Sequence, residues 1–162
     1  MSVREDFKAG IRKTIDALAP QYAVTLATNR TMSLDHGGLP VRGKDLHQSV
    51  RSCMARLDRL LLGPRWTKKE NQRTHGLLLP EHLSSNTHLH GVLRVDPSQI
   101  DRFENALVDA FDPRTGEIVK ALPLWKDVVP SGSSCICRLS NGSGWSTYIT
   151  KETIDQDGLI AF

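Results

Sequence analysis

Asn86-Thr87-His88-Leu89-His90-Gly91-Val92-Leu93-Arg94-Val95 is the stretch that decides how this chain is read. Leu89, Val92, Leu93 and Val95 supply the β-branched and apolar content of a strand. Successive side chains on a strand leave opposite faces. His88 and His90 therefore share one face, and Leu89 takes the other. Two imidazoles side by side on a rigid element can grip one metal ion. The plain alternative is a pair of polar positions on a half-solvated strand.

Thr74 to Glu81 reads as the strand before it. His82 to Asn86, with Ser84-Ser85-Asn86, reads as the hairpin connection. Further upstream, Tyr22 to Thr28 forms a first strand in which Tyr22, Val24 and Leu26 alternate with small or polar residues. It follows a helix predicted over Ser2 to Ala19, where Val3, Phe7, Ile11, Ile15 and Leu18 recur at helical spacing and Pro20 ends the element. Asn29 to Gly43 is a long loop holding Gly37, Gly38 and Pro40. Asp45 to Leu62 is a second helix with Leu46, Val50, Cys53, Met54, Leu57 and Leu61 on its apolar face, stopped by Gly63-Pro64. Arg65 to Arg73 is basic. Trp66 within it either stacks on a base or fills the core under a loop.

Downstream, Asp96-Pro97 is a helix start, with Asp as cap and Pro in the first turn. This helix is expected to run to about Phe111 and to bury Ile100, Phe103, Leu107 and Phe111. Asp112-Pro113-Arg114-Thr115-Gly116 is a turn. Glu117 to Leu122 and Ser134 to Leu139 are two more strands. Asn141-Gly142-Ser143-Gly144 opens a final short helix carrying Trp145, Tyr148, Lys151 and Glu152. After the leading helix the order is β-α-β-β-α-β-β-α. It predicts an α+β fold: a ferredoxin-like antiparallel sheet of about five strands covered by helices, with an extra N-terminal helix. The two hairpin strands should lie centrally, with the last helix reaching the histidine face.

The chain has 162 residues, enough for one domain with its own core, read as 1–162. Apolar residues make up 39% and charged residues 24%, the balance of an ordinary globular sequence. Runs such as Leu60-Leu61-Leu62 are too short to span a membrane. Arg4, Glu5, Asp6 and Lys8 precede any apolar stretch, unlike a secretory signal, so a cytoplasmic protein is expected. Cys53, Cys135 and Cys137 lack zinc-finger spacing and read as buried thiols of a reducing compartment. A net charge of +3 permits an anionic partner such as nucleic acid without demanding one.

Tyr148 and Lys151 are three residues apart, so on a helix they share a face. A tyrosine hydroxyl is a poor nucleophile at neutral pH because its pKa is near 10. A metal ion that polarises a phosphate makes the phosphorus electrophilic. A lysine one turn away adds a donor and a positive charge, to the phosphate or to the leaving oxygen. Metal-binding histidines with a helical Tyr-x-x-Lys thus form a kit for moving a phosphodiester onto tyrosine. Taken singly, Tyr148 also reads as an anchor for the terminal helix and Lys151 as a solvated charge.

Here the sequence resembles a known family. His88-Leu89-His90 resembles the His-hydrophobic-His motif of the HUH endonucleases, and Tyr148-Ile149-Thr150-Lys151 resembles their Tyr-x-x-Lys motif. Ala23-Val24-Thr25-Leu26-Ala27-Thr28 is similar to their first motif, an apolar strand carrying threonines, with Ala27 making the match loose. The three stand in the family's order and are spaced as in small rolling-circle replication initiators, from about Tyr22 to Glu152.

The resemblance implies a nicking enzyme for single-stranded DNA or a hairpin at an origin. Tyr148 would be the nucleophile, leaving a 5′-phosphotyrosine link and a free 3′-hydroxyl for a polymerase. His88 and His90 would hold Mg²⁺ or Mn²⁺, with Lys151 as helper. The family implies a third ligand on the neighbouring strand. Glu81 and His82 both fit, and Glu81 is preferred because a carboxylate suits a hard cation, the hairpin register deciding between them. Glu152 would support the metal. His36, His47 and His75 receive no role. Tyr22 is the only other tyrosine, so the arrangement is a single-tyrosine one. No ATPase loop of the Gly-x-x-x-x-Gly-Lys-Ser/Thr type is present, so unwinding would come from a partner such as a host helicase, from supercoiling or from a substrate already single-stranded, and a host polymerase would extend the 3′ end. A basic channel is expected from Arg30, Arg42, Lys44, Lys68, Lys69 and Arg73. Three other readings compete: a single-tyrosine transposase of the same family, a metal-dependent hydrolase in which His88, His90 and Glu81 activate water, and a non-catalytic nucleic-acid-binding module.

Overall fold

The computed structural model describes residues 3–31, 43–81, 86–112, 115–140, 142–150 and 159–162. Helix α1 (Val3–Leu18) leads into strand β1 (Tyr22–Thr31), followed by α2 (Gly43–Leu62), β2 (His75–Glu81) and β3 (Asn86–Arg94). Then come α3 (Ile100–Ala106), β4 (Val108–Asp112), β5 (Glu117–Ala121), α4 (Pro123–Val128), β6 (Ser133–Arg138), α5 (Gly142–Ile149) and β7 (Ile160–Ala161). The strands form one antiparallel sheet in the order β4-β5-β6-β1-β3-β2-β7. The α+β class and the antiparallel sheet under helices are as the sequence predicts, with seven strands among the described residues rather than about five.

The alternation along β1 sorts the two faces. Tyr22, Val24 and Leu26 join Leu89, Leu93 and Leu78 in the larger core, under α2 residues such as Val50 and Leu57 and under Phe103 and Trp125. On the opposite face Ile11 and Ile15 of α1 and Ile149 of α5 pack against Leu77, Leu79 and Val92. Helices thus cover both sides, and the apolar stripes of α1 and α2 are each spent on one of them. Both helices end as their sequences dictate. Ala19 adopts φ 48 ahead of Pro20, and Gly63 adopts φ 83 while its amide donates to the Arg59 carbonyl at 3.0 Å.

Three stretches differ from expectation. Asp96 does cap its element, accepting from the Ser98 amide at 3.0 Å. The helix stops at Ala106, however, and Val108 to Asp112 form β4 instead, paired with β5 so that Phe111 lies opposite Ile118. Phe111 is 64% exposed rather than buried. Its helical spacing from Phe103 and Leu107 is coincidental. The tight turn at Gly116, with φ 74 and its amide on the Asp112 carbonyl at 2.8 Å, folds these residues back onto a partner strand. The segment after β5, unassigned by pattern, is α4. It begins at Pro123 and carries the fully buried Trp125. Strand β7, which pairs with β2, is also additional. Among the described residues no helix is long and apolar enough to cross a membrane.

Candidate active site

Strand β3 lies between β1 and β2 near the middle of the sheet. Its register puts His88 opposite Glu81 of β2 and Ala27 of β1, and His90 opposite Leu79 and Thr25. Directly opposed residues share a face. Glu81 therefore stands on the histidine face, as preferred from the sequence. His82, the other candidate, lies outside the described residues.

The side chains use this register diagonally. A Glu81 carboxylate oxygen lies 3.0 Å from His90 Nε2. On the other side of the ring, the Thr25 hydroxyl lies 3.0 Å from His90 Nδ1. Thr25, His90 and Glu81 thus form a row across three adjacent strands. The rings of His88 and His90 are parallel within 4°, with centroids 6.0 Å apart. His90 is well shielded, its side chain 12% exposed, while Glu81 is 25% exposed. The site is therefore half-desolvated, where charge-assisted contacts are stronger than in open water.

Ring nitrogen and carboxylate both carry lone pairs, so a 3.0 Å approach needs a proton or another cation between them. With Nδ1–H directed to the Thr25 oxygen, the Nε2 lone pair would face Glu81, and a divalent cation there would be held by both. That is the usual support for a ligating histidine, whose second nitrogen is fixed by an oxygen partner. Two imidazoles and a carboxylate on one rigid face are a suitable donor set for Mn²⁺ or Mg²⁺. Among the described residues no three His, Cys, Asp or Glu side chains close around a common point. Glu81 is drawn onto His90 instead. The donors fit such an ion in kind, and His90 as it stands bridges Thr25 and Glu81.

The histidine face is the one on which α1 and α5 pack. Trp145 of α5 donates its indole N–H to the Gly91 carbonyl at 2.9 Å, one residue beyond His90. Ile149, one turn on, is buried against Leu77, Leu79 and Val92. The backbone of Tyr148 sits on α5 between these two anchors. The Tyr148 side chain, and Lys151 and Glu152 entirely, lie outside the described residues. α1 steadies α5 through the Arg12 guanidinium, which donates to Thr150 Oγ1 at 3.4 Å.

Tyr22 is on the opposite face. It is buried against Phe103, with ring centroids 4.7 Å apart, and donates to a Glu104 carboxylate oxygen at 2.8 Å. Burial first, and then the Glu104 contact, push its pKa up to about 12. It cannot serve the histidine face.

Beside the row lies a cavity of about 420 Å³, walled by Thr25 and Ala27 of β1, Val119 of β5 and Cys135 of β6. Trp125 fixes this end of β1 by donating its indole N–H to the Ala27 carbonyl at 2.9 Å. Trp125 has no place in the sequence reading, and Thr25 enters it only as a member of the Ala23 to Thr28 motif, with no role of its own. The parity of β1 does carry the signal for Thr25, because Ala23, Thr25 and Ala27 must take the face that Tyr22, Val24 and Leu26 leave. The cysteine expectation needs correction. Cys53 is fully buried, but Cys135 is half-buried and Cys137 exposed on the histidine face.

Two residues of the expected basic channel, Arg73 and Lys69, make local contacts. Arg73 lies 5.0 Å over the Trp66 ring and donates to the Thr67 carbonyl, and Lys69 donates to the Leu62 carbonyl. Trp66 itself packs against the core on the α2 side, away from the histidines. Arg42 and the side chains of Arg30 and Lys44 lie outside the described residues. No protein-family model, curated protein or solved structure matches this chain.

Proposed function

We propose that this chain is a metal-dependent endonuclease that nicks single-stranded DNA by moving a phosphodiester onto Tyr148, as HUH initiators of rolling-circle replication do. The observation that carries the reading is a shared face. His88, His90 and Glu81 leave the sheet on the side where α5, the helix bearing Tyr148, is pinned to Gly91 by Trp145. Tyr22 turning to the other side supports a single-tyrosine enzyme.

In this reading His88, His90 and Glu81 would hold Mg²⁺ or Mn²⁺, and the ion would supply positive charge to neutralise the scissile phosphate and make its phosphorus electrophilic. Thr25 fixes the His90 ring. Tyr148 gives up its phenolic proton, and its oxygen bonds to phosphorus as the bond to the 3′ oxygen breaks. The 3′ oxygen leaves with the electron pair and takes a proton. Lys151 supplies a donor and a positive charge to the oxygens involved. The phosphodiester energy is kept in the tyrosine link, so the strand can be rejoined later. Origin DNA, single-stranded or extruded as a hairpin, is the proposed substrate.

The Glu81–His90 pair, with the ring held by Thr25, favours one second reading, a hydrolase in which His88, His90 and Glu81 activate water and Tyr148 is structural. One experiment separates the two. The protein and a Tyr148→Phe variant are mixed with a varied library of labelled single-stranded DNA, with Mn²⁺ or with EDTA, and run on a denaturing gel. A metal-dependent protein–DNA adduct that vanishes in Tyr148→Phe is the expected result. Metal-dependent cleavage that persists in the variant without adduct would establish the hydrolase. Binding without cleavage of any library member would leave a binding module.

A further inference from the structure

Strand β6 carries Cys135 and Cys137 two residues apart, so both leave the same face. Register with β1 sets Cys135 opposite Thr25 and Cys137 opposite Ala23. The two sulfurs lie 3.8 Å apart. Cys137 is exposed and Cys135 half-buried, and Cys135 also lines the cavity beside Thr25.

We infer that Cys135 and Cys137 form a two-thiolate site for a thiophilic divalent cation, Zn²⁺ or Cd²⁺, separate from the histidine and glutamate donors. The separation is the first argument. Two sulfurs each about 2.3 Å from a tetrahedral zinc ion stand about 3.8 Å apart, the length of one edge of the tetrahedron. The strand backbone holds the pair near that spacing before any cation arrives, so little ordering remains to be done on binding.

Accessibility is the second argument. The remaining coordination positions are open to water on the exposed side of Cys137, and Cys135 borders the cavity. The third cysteine does not compete. Cys53 is sealed in the larger core and burial pushes its thiol up to about 12, which keeps it protonated. A disulfide suits the pair less well. Positions two apart on a strand have Cα atoms about 6.6–6.8 Å apart, at the outer limit of what a disulfide spans.

The binding step is simple exchange. Each thiol gives its proton to solvent, the cation gains two sulfur bonds and it sheds two waters. No oxidant is needed. Soft thiolates select a different class of cation from the imidazole–carboxylate set on β2 and β3, so the two sites sort metals by ligand chemistry.

The test is a Cd²⁺ titration of the reduced full chain, following the thiolate-to-cadmium charge-transfer absorption in the ultraviolet. One equivalent should saturate the band, and added Zn²⁺ should bleach it by displacement. Cys135→Ser and Cys137→Ser should each lose the band, Cys53→Ser should keep it, and His90→Ala should keep it too. Cys137 is exposed and Cys135 half-buried beside the cavity, so neither change opens the core, and circular dichroism checks that the variants fold. A band that survives the Cys135→Ser/Cys137→Ser double variant, or no band in the unaltered reduced protein, overturns the proposal. A Cys53→Ser variant that loses the band while folded would move the site to the core and overturn it as well.

Discussion

The Thr25 hydroxyl stands 3.0 Å from Nδ1 of His90, reaching across from β1 to the ring on β3. This contact decides how the imidazole is presented, because the nitrogen that Thr25 occupies is the one a cation or substrate cannot use. Removing the hydroxyl while keeping the branched shape, as in Thr25→Val, should leave the strand intact and free the ring to rotate. Loss of such a supporting partner typically costs about 10–100-fold in metal affinity. Mn²⁺ binding measured by calorimetry should weaken in that range, with an unchanged melting temperature. Unchanged affinity in a folded Thr25→Val would mean that His90 is not a ligand, or that its ring is held by other contacts.

Gly91 follows His90 on β3, opposite Leu78 of β2. A Cβ built there would lie 1.9 Å from the Leu77 carbonyl oxygen and 2.8 Å from a Leu78 methyl. The first of these is backbone and cannot swing aside. Gly91→Ala should therefore force β2 away from β3, cost about 1–3 kcal/mol or more, and disturb the Glu81–His90 contact next to it. Gly10, on the exposed side of α1 with nothing within 4 Å, is the natural control. Gly10→Ala should stabilise by about 0.5–1 kcal/mol through the better helix propensity of alanine. Urea midpoints of the two variants should move in opposite directions.

What could be read from the sequence follows the strength of the local pattern. The period-two alternation of Tyr22, Val24 and Leu26, and of His88, His90 and Val92, fixes which side chains share a face before any strand is paired. Glu81 needed one further fact, the hairpin register, and a slip of one residue would have turned it away. Phe111 is not legible in the sequence, because its spacing from Phe103 satisfies a helix while the cross-strand partner that claims it, Ile118, is a tertiary matter. Trp125 sits in a helix of six residues, too short for a periodic signature. Thr25 is a polar residue among alanines on one face of β1. Its importance appears only once β3 lies beside it.

Asp58 sits on α2 and is buried, accepting the Thr74 amide at 2.8 Å and so tying α2 to the start of β2. Burial pushes its carboxyl up, with the Thr74 contact pulling partly the other way. A carboxyl raised in the folded state favours folding while protonated. The stability it lends is complete below its unfolded value, near 3.8, and is lost as pH rises through its folded value. Asp58→Asn keeps an acceptor for the Thr74 amide and removes the charge. It should be more stable than the unaltered protein at pH 7, with the gap closing as pH falls toward and below that unfolded value. Paired urea melts at neutral and acid pH check this, and a gap independent of pH would refute it.

Tyr22 and Tyr148 are the only tyrosines, so Tyr148→Phe leaves a single phenol to titrate. That phenol should ionise at about 12 rather than near the ordinary value of 10.0, because it is buried and donates to Glu104. The sign for stability follows. The unfolded chain ionises first, so the contribution of Tyr22 to folding is whole below pH 10 and falls as pH rises from there through about 12. Phenolate absorbance in Tyr148→Phe should show one late transition, and Tyr22→Phe should lack that alkaline loss of stability. Glu104→Gln keeps a hydrogen-bond acceptor but removes the negative charge, so its Tyr22 midpoint should fall back only part of the way, burial being the larger cause. A midpoint near 10 in folded Tyr148→Phe would put Tyr22 in solvent. It would then reopen the question of which tyrosine faces the histidines.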